Sequence, residues 1–163
     1  GQGNAKGTHG GMLAELSDEL GLHPTTDDVV WEAVALGNLM LAMATHRPWA
    51  FHCIGALGAI ELTAPTRVGL VHDGLVRLGL APRGRKYFAL HATLDLKHSE
   101  AWNREVLAGL LAWREEVAPA LAQGALMRLA AGQRCFERYR HELDIDGARP
   151  LRDWRPPNVA LLS

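Results

Sequence analysis

The chain has 163 residues, of which 48% are hydrophobic and 21% charged, and its formal charge is -1 at pH 7. That length suits one domain with a core of its own, and the balanced charge excludes a basic face for nucleic acid or an anionic membrane. Cys53 and Cys135 match no zinc or redox spacing, no leader opens the chain and no uninterrupted apolar run reaches the ~18 residues of a membrane span. The expectation is therefore a soluble, cytoplasmic protein with reduced thiols and with neither nucleic acid nor membrane as partner.

Residues 1–11 hold five glycines and read as a loop or a cut edge. Apolar residues at helical spacing (Met12, Leu13, Leu16, Leu20) predict a first helix over 12–20, with Gly21 as its stop. Thr25, Thr26, Asp27 and Asp28 form a helix start with acids in the first turn. From there 29–45 is apolar nearly all round, as in a helix buried inside a bundle, until Arg47-Pro48 breaks it. A third helical pattern runs from Trp49 to about Leu80; Pro65, lacking a backbone donor, is expected to kink or split it. The small residues Gly55, Ala56, Gly58 and Ala59 within it would admit a neighbouring helix at close range. A turn over 79–84 contains Pro82. The next helix spans about 85–113, interrupted by nothing stronger than Gly109, and the last begins near Glu115 or Pro119 and reaches about Leu143. No stretch alternates with period two and no repeat occurs. These elements predict an all-α protein of five to six helices, a single domain over 1–163 with an irregular tail over 147–163.

One stretch carries chemistry. In Tyr87-Phe88-Ala89-Leu90-His91-Ala92-Thr93-Leu94-Asp95-Leu96-Lys97-His98 three potential metal ligands stand at i, i+4 and i+7. At about 100° per residue, Asp95 lies ~40° and His98 ~20° from His91, so one helix offers imidazole, carboxylate and imidazole along one stripe. Phe88, Leu90, Leu94 and Leu96 flank it and predict that it faces the interior. Glu61, between Ile60 and Leu62 on the preceding helix, would face this stripe across the turn, and a carboxylate among apolar neighbours wants a cation or a partner. Carboxylate with imidazole and no thiolate is ligand chemistry for iron or manganese. The competing reading is a hydrogen-bonded polar network or a partly solvated face.

Among the other candidates, His72 lies ~20° off the face of Glu61 and is the rival ligand, whereas His52 falls about 180° away and reads as structural. His23, His46 and His141 read as solvated. The row Gln133-Arg134, Glu137 and Tyr139-Arg140 reads as a surface salt-bridge face, with one arginine as a lesser candidate for a substrate carboxylate. Met40 and Met43 read as core filling.

The pattern Tyr87-Phe88-x-x-His91-x-x-x-Asp95-x-x-His98 followed by Trp102 resembles the signature helix of the haem-oxygenase-like di-iron oxidases, which are iron-containing redox enzymes. Gly58-Ala59-x-Glu61, Pro65-Thr66-Arg67 and Gly74-Leu75-x-Arg77-Leu78-Gly79 are similar to that family's preceding helix and turn. Gly1-Gln2-Gly3-Asn4 with His9 resembles a segment in which a histidine follows a glycine-rich helix start. The resemblance implies a haem-oxygenase-like helical bundle with His9, Glu61, His91, Asp95 and His98 as metal ligands. It further implies Fe(II), two ions when the ligand set is full, and O2 as co-substrate. The reaction would be N-oxygenation, desaturation or carbon-carbon cleavage on a small-molecule substrate such as an amino acid or fatty acid. Further glutamates of the family would fall before Gly1, so the expectation is an N-terminally incomplete domain, completed by upstream helices, by a homodimer or by a second polypeptide. The alternatives are a non-catalytic helical scaffold or partner subunit of the same fold, and a thiaminase-like hydrolase with Cys135 as nucleophile.

Overall fold

The computed structural model describes residues 7–145, except for the side chain of Leu96; the segment 1–4 and the tail expected over 147–163 lie outside the described residues. Among the described residues no strand forms and six α-helices follow one another: α1 His9–Glu19, α2 Trp31–Thr45, α3 Ala50–Arg77, α4 Lys86–Ala101, α5 Ala108–Trp113 and α6 Ala118–Glu142. The protein is all-α, as its sequence predicts. The helix expected over 85–113 is one rod with a π-helical turn, Trp102–Leu107, between α4 and α5. An i→i+5 turn leaves no mark in apolar spacing, so the sequence does not announce it.

The ends of the helices follow from local chemistry. Thr8 accepts from the Gly11 N–H at 3.2 Å and starts α1 at His9, three residues before the first apolar position. After α3, Gly79 adopts φ +76°, its N–H bonds the Val76 carbonyl, and the Leu80 N–H bonds the Leu75 carbonyl. This left-handed stop costs a glycine little and turns Leu80 back onto Leu75. Leu75, Leu80 and Leu16 then form a buried cluster with Leu20 and Phe88 packed against it. Gly21 closes α1 the same way, with φ +65°. The acidic start at residues 25–28 does something other than expected: Thr25 and Asp28 form a capping box on a short 3-10 turn, Thr26–Asp28, and α2 begins only at Trp31.

The central helix is α3, which packs against α2, α4 and α6. It runs unbroken through Pro65, so the expected split does not occur. Pro65 still leaves the carbonyl of Glu61 without its i+4 donor. The small-residue stripe behaves as predicted, with Gly55, Ala56, Gly58 and Ala59 all buried. A Cβ at Gly55 would collide with the backbone carbonyl of Leu121, and one at Gly124 with that of His52, so α3 and α6 cross backbone to backbone. By length and composition Arg47–Arg77 is also apolar enough to cross a membrane, with a mean hydropathy of 1.2 in its best window. The uninterrupted-run criterion passes over it because charged residues fall within the pattern.

The expectation for α2 fails. Only Met43 is buried on it, while Trp31 is 65% and Leu41 60% exposed. An all-round apolar helix wants cover on every side, but among the described residues α2 is packed mainly by α3, α6 and the turn that follows it.

Candidate metal centre

The turn between α3 and α4 fixes α1 against them. The Glu19 carboxylate accepts from the Ala81 N–H, and Arg83 reaches Glu15 at 3.1 Å. The leucine cluster seals the same corner. With its C-terminal end tied there, α1 carries His9 to the second turn of α4. His9 Nε2 and His91 Nε2 stand 3.2 Å apart. The Tyr87 ring stacks on His91, with centroids 4.2 Å apart and planes at 30°, and meets His9 edge-on at 5.7 Å. His91 Nδ1 lies 2.7 Å from the carbonyl of Tyr87, an acceptor only, so Nδ1 carries the proton and Nε2 presents a lone pair.

One turn further along α4 sits Asp95, the one charged residue buried among the described residues, with 6% of its surface exposed. Its carboxylate is 3.7 Å from His98 Nδ1, beyond hydrogen-bond range. Glu61 reaches the same place from α3: one ligand atom each from Glu61, Asp95 and His98 lies within 4.8 Å of the other two. Two ionised carboxylates at that separation repel by about 3 kcal/mol at an effective dielectric of ~20. No described donor offsets this for Asp95 beyond His98. A cation among the three would.

All five sequence-predicted ligands line one cavity of about 700 Å³, whose wall is otherwise largely apolar. The arrangement differs from expectation in two ways. The stripe does not converge on one point: His91 pairs with His9, while Asp95 and His98 group with Glu61. Nor does it face a closed interior. Leu90 and Leu94 lie at the surface, and the His98 side chain is 58% exposed.

The donor set fits iron. Two nitrogens bound to one ion at about 2.1 Å and near right angles stand about 3 Å apart, the spacing His9 and His91 already have. The trio, within 4.8 Å of one another, would have to draw closer to do the same, and carboxylate and imidazole suit a ferrous ion.

The rival candidates fall elsewhere. His72 lies outside the cavity beside Asp73 at 3.4 Å and Arg85 at 3.5 Å. His52 meets the Trp49 ring at a tilt, with planes at 60°, and bonds Gln123 at 3.1 Å. His23, His46 and His141 are exposed, as expected. On α6 Gln133 donates to Glu137 within the expected surface row, while the ion pair of Arg138 with Glu142 lies outside that row. Cys135 is buried outside the cavity. Burial first, and then the Cys135 thiol, push the phenol of Tyr139 up. Sequence reasoning gave no role to Arg67 and Phe136, which also line the cavity. The signal for Arg67 was its place in the series Ile60, Ala64, Arg67, Val71, which shares one helical face.

A sequence profile for the family described as iron-containing redox enzyme matches residues 1–133. No curated protein and no solved structure matches the chain.

Proposed function

We propose that this chain, which belongs to the family of iron-containing redox enzymes, is a non-haem di-iron oxidase or oxygenase that uses O2 to oxidise a small molecule such as an amino acid or fatty acid. The observation that carries the reading is the gathering of five donors from three helices on one cavity: His9 from α1, Glu61 from α3, and His91, Asp95 and His98 from α4. Their division into two groups favours two ions, with His9 and His91 supplying one side and Glu61, Asp95 and His98 the other. When bound, iron supplies the one-electron chemistry with O2 that no side chain here can perform.

The chain's own contribution is positioning. The Tyr87 carbonyl holds the proton of His91 on Nδ1 and so keeps Nε2 available, and the Tyr87 ring limits rotation of both imidazoles. Ile60, Val68, Val71 and Phe88 give the cavity an apolar wall that admits a hydrocarbon body and displaces water. Cys53 and Cys135 are both free thiols, in keeping with a reducing, cytoplasmic setting.

An oxygen electrode tests the reading. Protein loaded anaerobically with ferrous ion is expected to take up O2 faster than the same ferrous concentration in buffer, and Asp95→Ala is expected to fall to the buffer rate. Uptake by the loaded wild type no faster than buffer would leave a non-catalytic helical scaffold as the better description.

A further inference from the structure

Helix α2 is apolar yet uncovered, and what it leaves uncovered is ordered. Trp31, Val34, Asn38, Leu41 and Thr45 follow one another at intervals of three, four, three and four residues and are all exposed, Trp31, Val34 and Leu41 to 65%, 48% and 60%. At about 100° per residue they fall within ~80° of one another, on the side away from the buried Met43. The packing inside the chain is on that other side, where Leu39 and Met43 border a space shared with Met127 of α6. A row spaced three and four is the seam along which one helix pairs with another.

The seam carries no charge. Glu32, the one charged residue of α2, turns inward and has a carboxylate oxygen buried. The Thr45 hydroxyl is satisfied by donating to the Leu41 carbonyl at 2.8 Å. Within the seam, only the Asn38 side chain is polar and without a partner among the described residues. A helix face built for water carries charges, and one built for a bilayer surface is bordered by Lys or Arg; α2 has neither border.

Asn38 identifies the occupant. It is the middle residue of the seam, seven positions from Trp31 and seven from Thr45. Any twofold pairing that overlaps two such seams completely, parallel or antiparallel, therefore sets Asn38 against Asn38 of the other copy. A carboxamide is both donor and acceptor, so two of them answer each other, N–H to oxygen in both directions. Any other partner would have to bring a matching polar group to that one layer. A single asparagine in an otherwise apolar seam also fixes register, at a cost in affinity.

We propose that a second copy of this chain covers the seam, with α2 on α2 about a twofold axis at Asn38. A helix of 15 residues makes a short interface, so the dimer belongs among the small, reversible ones and dissociates in roughly the micromolar range. No residue of the seam lines the metal cavity, so the proposal stands apart from the iron reading.

Sedimentation equilibrium of the chain over about 1–300 µM tests it. The average mass of wild type is expected to rise from the 17.8 kDa of one chain towards twice that value. Leu41→Glu should remain a single chain throughout, with unchanged helix content by circular dichroism and unchanged iron binding, because Leu41 is exposed already. Leu70→Glu, at an exposed residue of α3 outside the seam, should dimerise as wild type does. Oxidation locates the axis. Asn38→Cys is expected to cross-link above the wild-type background at least about tenfold faster than Leu70→Cys, since a residue at the axis meets its own copy within the ~4.4–6.8 Å that a disulfide spans. Should Leu41→Glu not fold, the cross-linking comparison carries the test. A wild type that stays monomeric over the whole range, a dimer that survives Leu41→Glu, or Asn38→Cys cross-linking no faster than Leu70→Cys overturns the inference. So does a monomeric chain that floats with phosphatidylcholine and phosphatidylserine vesicles, which would make the seam a membrane surface.

Discussion

Asp95→Ala should lose iron affinity by roughly 100-fold or more, since even partners outside the coordination shell are worth 10–100-fold at metal sites and Asp95 is proposed as a ligand. The same substitution should leave the metal-free protein at least as stable as wild type. That second half separates a ligand from a structural residue. Asp95 is buried, has no described hydrogen bond and stands within 4.8 Å of the Glu61 carboxylate, so without a cation it is a liability. Removing it relieves about 3 kcal/mol of repulsion when both groups are ionised, at an effective dielectric of ~20. A structural aspartate would behave oppositely, because losing it would strand its partners. Ferrous titration followed with thermal unfolding of the metal-free protein reads both quantities. His72→Ala is the control: its ring lies outside the cavity, and it should bind iron as wild type does. Iron binding unchanged in Asp95→Ala would remove Asp95 from the site.

Gly124→Ala should destabilise the fold although it improves helix propensity. In an open helix the change gains about 1 kcal/mol. Here the added Cβ would fall on the backbone carbonyl of His52, which has no rotamer through which to withdraw. The helices must separate, and overpacking of this kind costs about 1–3 kcal/mol or more, so the clash outweighs the propensity gain. Gly55→Ala strains the same crossing at Leu121, and the double variant should therefore not show the sum of the two losses. Gly37→Ala on α2 has nothing within 4 Å of its new Cβ and should be neutral or stabilising. Because α3 also carries Glu61, the Gly124 variant should bind iron more weakly as well. Thermal unfolding of the three variants decides it; a Gly124→Ala protein as stable as Gly37→Ala would contradict the close crossing.

The parts legible in the sequence are those that depend on one helix at a time. His91, Asp95 and His98 share a stripe because 3.6 residues make a turn, and Gly21 and the turn at 79–84 stop helices because a left-handed residue is cheapest as glycine. Glu61 was legible as a carboxylate among apolar neighbours, and His9 only through resemblance. What depends on several helices was not legible. The division of the ligands into two groups follows from where α1 is pinned by Glu15, Glu19 and Leu16. The roles open to Arg67 and Phe136 depend on how α3 and α6 cross. Hydropathy misjudged α2, because it reports what a helix would bury, and burial depends on what is packed beside it. The π turn at Trp102–Leu107 left no trace, since one residue's shift in hydrogen bonding does not alter composition.

The central claim is that His9, Glu61, His91, Asp95 and His98 together hold iron. Anaerobic loading of the wild-type chain with excess ferrous ion, followed by desalting and iron determination per chain, addresses it directly. Iron retained in stoichiometric amount, and lost in Asp95→Ala but kept in His72→Ala, is the expected result. A wild-type chain that leaves the column without iron would contradict it.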